Sequence, residues 1–567
     1  GCRVSVHAGT TAGGPATRSK PRAPPTPKTR DTGASPAPRT IGRMRRREIL
    51  SRLGRHAAAL ALASLAAPRL GRADDAVERL SGGDDPFTLG VASGMPGPDS
   101  VLLWTRLAPR PREPLGGLPD APLRVEWELA EDERFTRGLR RGALLARPEH
   151  AHSVHVEVGG LPSDARFFYR FRTGAAESPV GRTRTAPAPD AEPARLRFAL
   201  ASCQHYEQGE FTLHREIAAS DLDLVLFVGD YLYESSNPRL RIRPHEGPTP
   251  TTLQGYRQRH ATYKLDPALQ AAHAAHPWVL TWDDHEVEND YAADASRDPA
   301  LDAAAFLALR AAAYKAYFEH MPVSLRMAPR GAAMPIHAHH RWGRLADLWT
   351  LDNRQYRSLQ PCNEPGRAGG RILSFCGELD NAAATMFGAG QEAWLEAGLR
   401  DSRAAWRLLA QGSQIAPGGV LSPLGRSIFS DGWDGYPAAR ARLLRAIAAQ
   451  PRGDVVCLGG DVHRHTVARL RADVADERAP VVASEFVTSS ITSRSISETA
   501  IEMMLRSNPD LLHARGDERG YMAFELTPAR LSCELRATAH PVTTEAVVRR
   551  QAGYVVERGR PGPQRNA

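Results

Sequence analysis

Five short apolar runs in the later two-thirds of the chain each end abruptly in polar residues that a packed core would reject. Residues 196–202 lead into Cys203-Gln204-His205, and 222–228 into Gly229-Asp230-Tyr231-Leu232-Tyr233-Glu234. Residues 278–282, set off by Pro277, lead into Asp283-Asp284-His285-Glu286-Val287-Glu288-Asn289-Asp290. Residues 345–351 lead into Asp352-Asn353-Arg354-Gln355-Tyr356-Arg357, and 455–458 into Gly459-Gly460-Asp461-Val462-His463-Arg464-His465. Between these runs lie Ala-, Leu- and Arg-rich stretches at 303–320, 391–399 and 438–449 with helical composition. Strands alternating with helices predict a layered α/β domain. In open α/β sheets ligands gather beyond the carboxyl ends of the strands, so the five clusters are expected to meet at one site.

Each cluster alone has a plainer reading. A lone Gly-Asp makes a turn, acids such as Asp283 to Glu286 complement a helix N-terminus, and Arg354 with Arg357 could be surface ion-pair partners. Recurrence directly after five strands in one domain argues for chemistry instead. Two adjacent metal ions can clamp the attacking and leaving oxygens of a phosphoryl displacement, and a bridging carboxylate such as Asp230 suits that arrangement. Oxygen ligands select calcium, magnesium or manganese. A thiolate from Cys203 and a phenolate from Tyr233 would favour iron beside them.

The remainder of the chain divides around this domain. With 567 residues it exceeds what one core supports, about 250–300 residues. Residues 85–185 carry short alternating or apolar runs broken by Pro, Gly and Asp, which predicts a β-sandwich. The proline-rich stretch 186–194 reads as a linker, 195–545 as the catalytic domain and 546–567 as a C-terminal tail. Residues 1–43, rich in Pro, Thr, Ser, Gly and Arg, read as a disordered leader or an over-extended start.

Residues 44–73 read as a twin-arginine signal peptide: Arg45-Arg46-Arg47, then Ile49-Leu50, then an apolar stretch too short to span a bilayer. Cleavage after Ala67 or Ala73 fits equally. The implied partner is the twin-arginine translocation machinery and the implied location periplasmic or extracellular; contact with a membrane surface stays open. The net charge of +9 resides in this leader. Residues 1–72 hold 15 Lys/Arg against two acids, which leaves 58 basic and 62 acidic residues in the body and no case for a specific nucleic-acid partner.

Of six cysteines, Cys457 and Cys533 read as buried small hydrophobes. Cys362 and Cys376 lie close together in a Pro/Gly-rich loop and form the candidate disulfide that an exported chain permits.

The sequence resembles the PhoD-type alkaline phosphatases. Phe87-Thr88-Leu89-Gly90-Val91-Ala92-Ser93-Gly94 and Asp99 to Arg106 look like the opening of that family's N-terminal domain. Ala201-Ser202-Cys203-Gln204, Gly229 to Glu234, Trp282 to Asn289, Asp431-Gly432-Trp433-Asp434-Gly435-Tyr436, Gly459 to His463 and Glu485 to Ser490 resemble its catalytic motifs, in order. The resemblance implies an immunoglobulin-like N-terminal sandwich and an α-β-β-α metallophosphoesterase core similar to purple acid phosphatases, with ferric iron and calcium as cofactors. Carried over, Cys203, Asp230 and Tyr233 would hold iron and Asp230 would bridge to calcium. Asp284, Asn289, Asp461 and His463 would complete the cluster, His285 would assist the leaving group and Arg354 would bind phosphate. Asn353 departs from a family threonine, and Met95-Pro96 from Asp-Pro. The implied activity is hydrolysis of phosphomonoesters and phosphodiesters outside the cytoplasm. The alternatives are a calcium-dependent phospholipase D and, from a different class, a decayed binding module.

Overall fold

Side-chain alternation along the central strands explains the layers. The computed structural model describes residues 84–566 apart from 237, 238, 240, 424 and 451–453; the leader and the twin-arginine segment lie outside the described residues. In chain order the first strands are β1 (Val91–Gly94), β2 (Val101–Arg106), β3 (Leu123–Ala130), β4 (Arg140–Ala146), β5 (Ser153–Val158), β6 (Arg166–Thr173), β7 (Ala176–Glu177) and β8 (Gly181–Arg184). Next come β9 (Leu196–Ala201), β10 (Leu224–Val228), β11 (Pro277–Thr281), β12 (Ala338–Trp342), β13 (Ala346–Thr350), β14 (Ile372–Leu373) and β15 (Trp406–Ala410). They are followed by β16 (Val420–Ser422), β17 (Gly425–Phe429), β18 (Asp454–Gly459), β19 (His465–Arg471), β20 (Val481–Val487) and β21 (Leu511–Arg515). The chain closes with β22 (Glu518–Leu526), β23 (Arg530–Ala539), β24 (Arg549–Glu557) and β25 (Arg560–Asn566). The helices are α1 (Leu213–Ala219), α2 (Leu253–Lys264), α3 (Pro267–Ala275), α4 (Ala303–His320), α5 (Gly388–Asp401), α6 (Pro437–Ala448) and α7 (Glu498–Ser507).

Two large sheets face each other. One runs β25-β24-β23-β22-β9-β10-β11-β1-β2-β5, the other β12-β13-β15-β18-β20-β19-β21. Their centres are parallel: β9, β10 and β11 in the first, β13, β15, β18 and β20 in the second. With period two, Phe198, Leu200, Leu226, Val228, Leu408, Val456 and Leu458 point between the sheets into one core. Ala199, Phe227, Trp278 and Leu280 point outward, where Tyr256, Leu269, Phe306 and Tyr314 of the helices cover them. On the far side Leu409, Val455 and Cys457 are covered by Leu395, Leu399, Leu443 and Leu444. This is an α-β-β-α stack. Helices α3 and α4 start at Asp266 and Asp302, whose carboxylates accept first-turn N–H groups, a cap worth about 1 kcal/mol each. No helix among the described residues is long and apolar enough to cross a membrane.

Two expectations are corrected. Residues 85–185 do contain two packed β leaves around Leu103, Leu123, Val125, Val156, Tyr169 and Phe171. One leaf, β1-β2-β5, is nevertheless hydrogen-bonded into the large sheet, because β1 pairs in parallel with β11. The other, β4-β3-β6-β7 with β8 on β6, is separate. The segment read as a tail is instead the hairpin β24–β25, in which Ala552, Tyr554 and Val556 alternate into the inter-sheet core.

Candidate active site

The five strands end on one side, and each expected polar cluster follows its strand directly. Tight backbone turns make this possible. Gly229 has φ +103°, and a Cβ there would lie 2.6 Å from the Asp283 Cβ, so only glycine lets the ends of β10 and β11 approach. At Gly459 a Cβ would lie 2.3 Å from the Ser413 carbonyl oxygen. Beyond these turns Cys203, Asp230, Asp290, Asp461 and His463 all adopt φ between 54° and 66°. A non-glycine residue held there costs of order 1–3 kcal/mol and persists only where its surroundings over-determine it. Glu286 supplies part of that determination: its carboxylate accepts the N–H groups of Asp230 (3.1 Å), Tyr231 (2.7 Å) and Asp283 (3.0 Å).

Ligand-type atoms of Cys203, Asp230 and His463 lie within 4.8 Å of one another. Tyr233 joins them, its Oη standing 2.9 Å from Asp230 Oδ2 and 2.9 Å from His463 Nε2. Ser493 Oγ lies 2.8 Å from the Tyr233 Oη and 2.8 Å from the Cys203 carbonyl. His463 Nδ1 lies 2.8 Å from the Arg494 carbonyl, which can only accept, so the proton sits on Nδ1 and Nε2 faces the cluster as a lone pair. Arg519 holds the backbone around it through the carbonyls of His463 (2.7 Å) and Ser493 (2.6 Å). Asp461 accepts from Ser413 Oγ at 3.0 Å.

A second group is acidic. Asp230, Asp284 and His285 form one cluster, and Asp284, Asp290 and Asp431 another. His285 Nδ1 is 2.7 Å from Glu234 Oε2. The same carboxylate accepts the Asn289 backbone N–H at 3.0 Å, and Asp290 brings its carboxylate to Asp284 and Asp431.

Arg354, carried over as a phosphate ligand, is fully buried beside the acids of the site. Its Nε donates to Asp283 Oδ1, and Nη1 and Nη2 meet the two Asp431 oxygens at 3.0 and 2.8 Å.

Electrostatics says what such a site would accept. Burial, then the Asp230 and Asp461 carboxylates, pushes the Cys203 thiol well above its usual range. Burial does the same to Asp230 and Asp461, with Asp283 and Asp284 adding repulsion, and to Tyr233, with Asp230 and Cys203 adding. Asp230 Oδ1 and Asp283 Oδ2 are buried with no hydrogen-bond donor. His463 is depressed to about 3 by burial, then by Arg519 and His285, and is therefore neutral. His285 is held protonated: burial opposes its charge, but Glu234, Asp284 and Asp230 outweigh that. Buried anion-capable groups with unused lone pairs, a thiol, a phenol and a neutral imidazole fit bound cations, which reverse this logic and deprotonate their ligands.

Nothing in the sequence singles out Glu286 as a clamp, or Ser493 and Arg519 as supports for Tyr233 and His463. A signal existed for the acids Asp283, Glu286 and Asp290, which flank expected ligands in one run, and for Glu234 and Asp431, which lie in runs named above. The Cys362 and Cys376 sulfurs are bonded, with Cα atoms 6.1 Å apart, and the loop they close carries β14.

Known proteins resemble this chain in sequence and in fold. The profile of the PhoD-like phosphatases matches residues 198–535, and that of the PhoD-like phosphatase N-terminal domain residues 73–187. Alkaline phosphatase D of Bacillus subtilis (strain 168) is 40% identical over 485 residues, 84% of this chain and 82% of that protein. A solved structure of PhoD is similar with TM-score 0.80 at 40% identity, covering 85% of this chain and 92% of that one.

Proposed function

Because the chain belongs to the PhoD-like phosphatase family and is a phosphate ester hydrolase, we propose that it works outside the cytoplasm with ferric iron and calcium, on phosphomonoesters and phosphodiesters. The observation that carries this reading is the convergence of Cys203, Asp230, Tyr233 and His463 on one point. Iron would be held by Cys203, Asp230 and Tyr233, with the His463 Nε2 lone pair and Asp461 alongside. Asp230 would bridge to calcium at Asp284, where Asp290 and Asp431 also stand and where the family pattern adds Asn289. Such ions supply Lewis acidity toward phosphoryl oxygens and a lowered pKa for bound water.

The chain's own residues do the rest. Glu234 binds His285 Nδ1 and keeps the imidazole charged, which leaves Nε2 to give a proton to the departing ester oxygen. Arg354 fixes Asp283 and Asp431, and through them the strand ends. Ser493 donates toward the Tyr233 oxygen and orients it. The leader supports export by the twin-arginine route, and the two β leaves of residues 85–185 support an immunoglobulin-like reading of that region.

The test is elemental analysis of exported protein, with hydrolysis of a monoester, a diester and phosphatidylcholine before and after calcium chelation. Stoichiometric iron and calcium with chelator-sensitive turnover are expected. Turnover of phosphatidylcholine alone would favour the phospholipase D alternative. Metal-free, inactive protein would mean a decayed module.

A further inference from the structure

Asp461 and His463 form one wall of a cleft of about 620 Å³, and the facing wall is apolar. The β16–β17 hairpin contributes Val420 and Ile428, and α7 contributes Met503 and Met504. At the rim Ile372, Phe429, Ile496 and Met503 are 76%, 49%, 50% and 46% exposed. Single exposed apolar side chains are ordinary, but four around one opening are not.

The wall is also prebuilt. Asn508, just past α7, donates to the Gly419 carbonyl at 2.8 Å, and Ser507 Oγ accepts the Leu421 N–H at 2.9 Å, so helix and hairpin are joined. Ile372 pairs with Phe429 across β14 and β17, and the Cys362–Cys376 disulfide closes the loop that carries β14. Arg494, exposed, lines the same cleft and adds a cation to it, and its carbonyl lies 2.8 Å from His463 Nδ1. Hydrolysis of a small, polar phosphate ester needs none of this apolar surface. A cleft with a polar reaction centre at one side, a cation beside it and a fixed apolar wall matches an ester whose organic group is apolar.

We propose that the cleft binds the organic group of the substrate, and that the enzyme prefers phosphate esters of apolar alcohols or phenols over esters of polyols. The inference rests on the phosphoesterase reading. The reaction is unchanged: water oxygen joins phosphorus, the P–O bond to the alcohol breaks, and the alcohol leaves with a proton.

The experiment is kcat/KM for ethyl, butyl, hexyl, octyl and phenyl phosphate against glycerol phosphate. A rise of roughly two- to fourfold per added methylene is expected until the wall is covered. Phenyl ahead of hexyl phosphate would assign an aryl occupant, and the reverse order an alkyl one. Met503→Glu with Ile496→Glu, both at half-exposed positions that tolerate a polar side chain, should flatten the series. Octylphosphonate, which is not hydrolysed, should bind the parent at least about tenfold more tightly than ethylphosphonate by calorimetry, and lose that margin in the double variant. A flat series with equal phosphonate affinities overturns the inference while leaving the phosphoesterase reading intact. A steep series unchanged in the double variant overturns it too, because the organic group then lies elsewhere. Hydrolysis of none of the esters overturns the reading beneath it, and phosphonate affinity then still reports on the cleft.

Discussion

Tyr233 Oη and His463 Nε2 stand 2.9 Å apart, although 230 positions separate them in the chain. The contact exists because the His463 Nδ1 proton is committed to the Arg494 carbonyl and the Tyr233 oxygen is approached by Ser493 from the other side. Two side chains from different sheets are thus aimed at one point with their lone pairs inward, beside Cys203 and Asp230. Packing alone would not need that orientation.

Cys203 is the ligand that distinguishes this point from an all-oxygen site. Cys203→Ser replaces a soft ligand with a poor neutral one of nearly equal size, so the fold should persist. Iron content should drop, any thiolate- or phenolate-to-iron absorption should bleach, and kcat should fall by about two orders of magnitude or more. Metal analysis, the visible spectrum and turnover check this together. A variant with full iron and full turnover would make Cys203 a packing residue.

The paired arginines of the leader motivate the export prediction. Arg46→Lys with Arg47→Lys keeps the charge and removes the guanidinium pair. Precursor should then accumulate in the cytoplasm, as fractionation and immunoblotting would reveal; unchanged export would remove the twin-arginine route.

The disulfide joins residues 14 positions apart, and closing a loop of that length is worth about 3 kcal/mol at most by chain entropy. Peptide mapping without reductant should return the linked fragment. Cys362→Ser with Cys376→Ser should speed proteolysis within 362–376 with little change in the global thermal midpoint, because the loop lies outside the main cores. Loss of several degrees would instead place the loop in the global folding unit.

The sequence made the strand ends legible because an apolar run cannot continue into Gly-Asp or Asp-Asp-His-Glu without leaving the core. Cys203, Asp230 and Tyr233 could therefore be singled out from position and ligand chemistry, whereas the roles of Asp284, His285, Asp461 and His463 came from the resemblance. Supporting groups could not. Ser493 and Arg519 reach the site from segments whose own pattern is unremarkable for buried strands and turns, and Glu286 acts on backbone N–H groups, which a sequence does not display. Arg354 reads alone as an ion-pair residue and by resemblance as a phosphate ligand; the three carboxylates around it come from other segments and are not visible in its own. The β24–β25 hairpin was obscured by its arginines, although Ala552, Tyr554 and Val556 carry the period of two. The apolar cleft wall left no signal, being assembled from strands of two to five residues and one helix face.

Lys264 gives a pH prediction away from the metal site. It ends α2, is 2% exposed, and its Nζ lies 4.3 Å from the centre of the Trp104 ring. Burial depresses its pKa to about 7, against about 10.4 when unfolded. Between those values the unfolded chain holds a proton that the native chain has lost, so this group's contribution makes stability rise with pH. Lys264→Met removes the cost of the buried charge. Its thermal midpoint should exceed the parent's most at about pH 6.5 and least at about pH 9.5. A difference independent of pH would mean that Lys264 keeps one protonation state across the range.

Arg354 separates two roles that activity alone would confuse. In the structure it is a buried counter-charge: Asp283, pushed up to about 6 mainly by burial, and Asp431, held below its usual range by Arg354 and Arg357 against burial, both depend on it. Removing one partner of a buried ion pair leaves an uncompensated charge, at a cost of about 3–5 kcal/mol. Arg354→Met should therefore lower the thermal midpoint by several degrees and reduce metal content. Arg354→Lys should recover part of the stability, because one ammonium cannot reproduce the bidentate contact with Asp431. If the guanidinium instead bound substrate phosphate, both variants would raise KM at unchanged midpoint and unchanged metal content. Differential scanning calorimetry, elemental analysis and steady-state kinetics on the same two variants decide it, and a stable, metal-replete Arg354→Met with a raised KM would return Arg354 to the substrate.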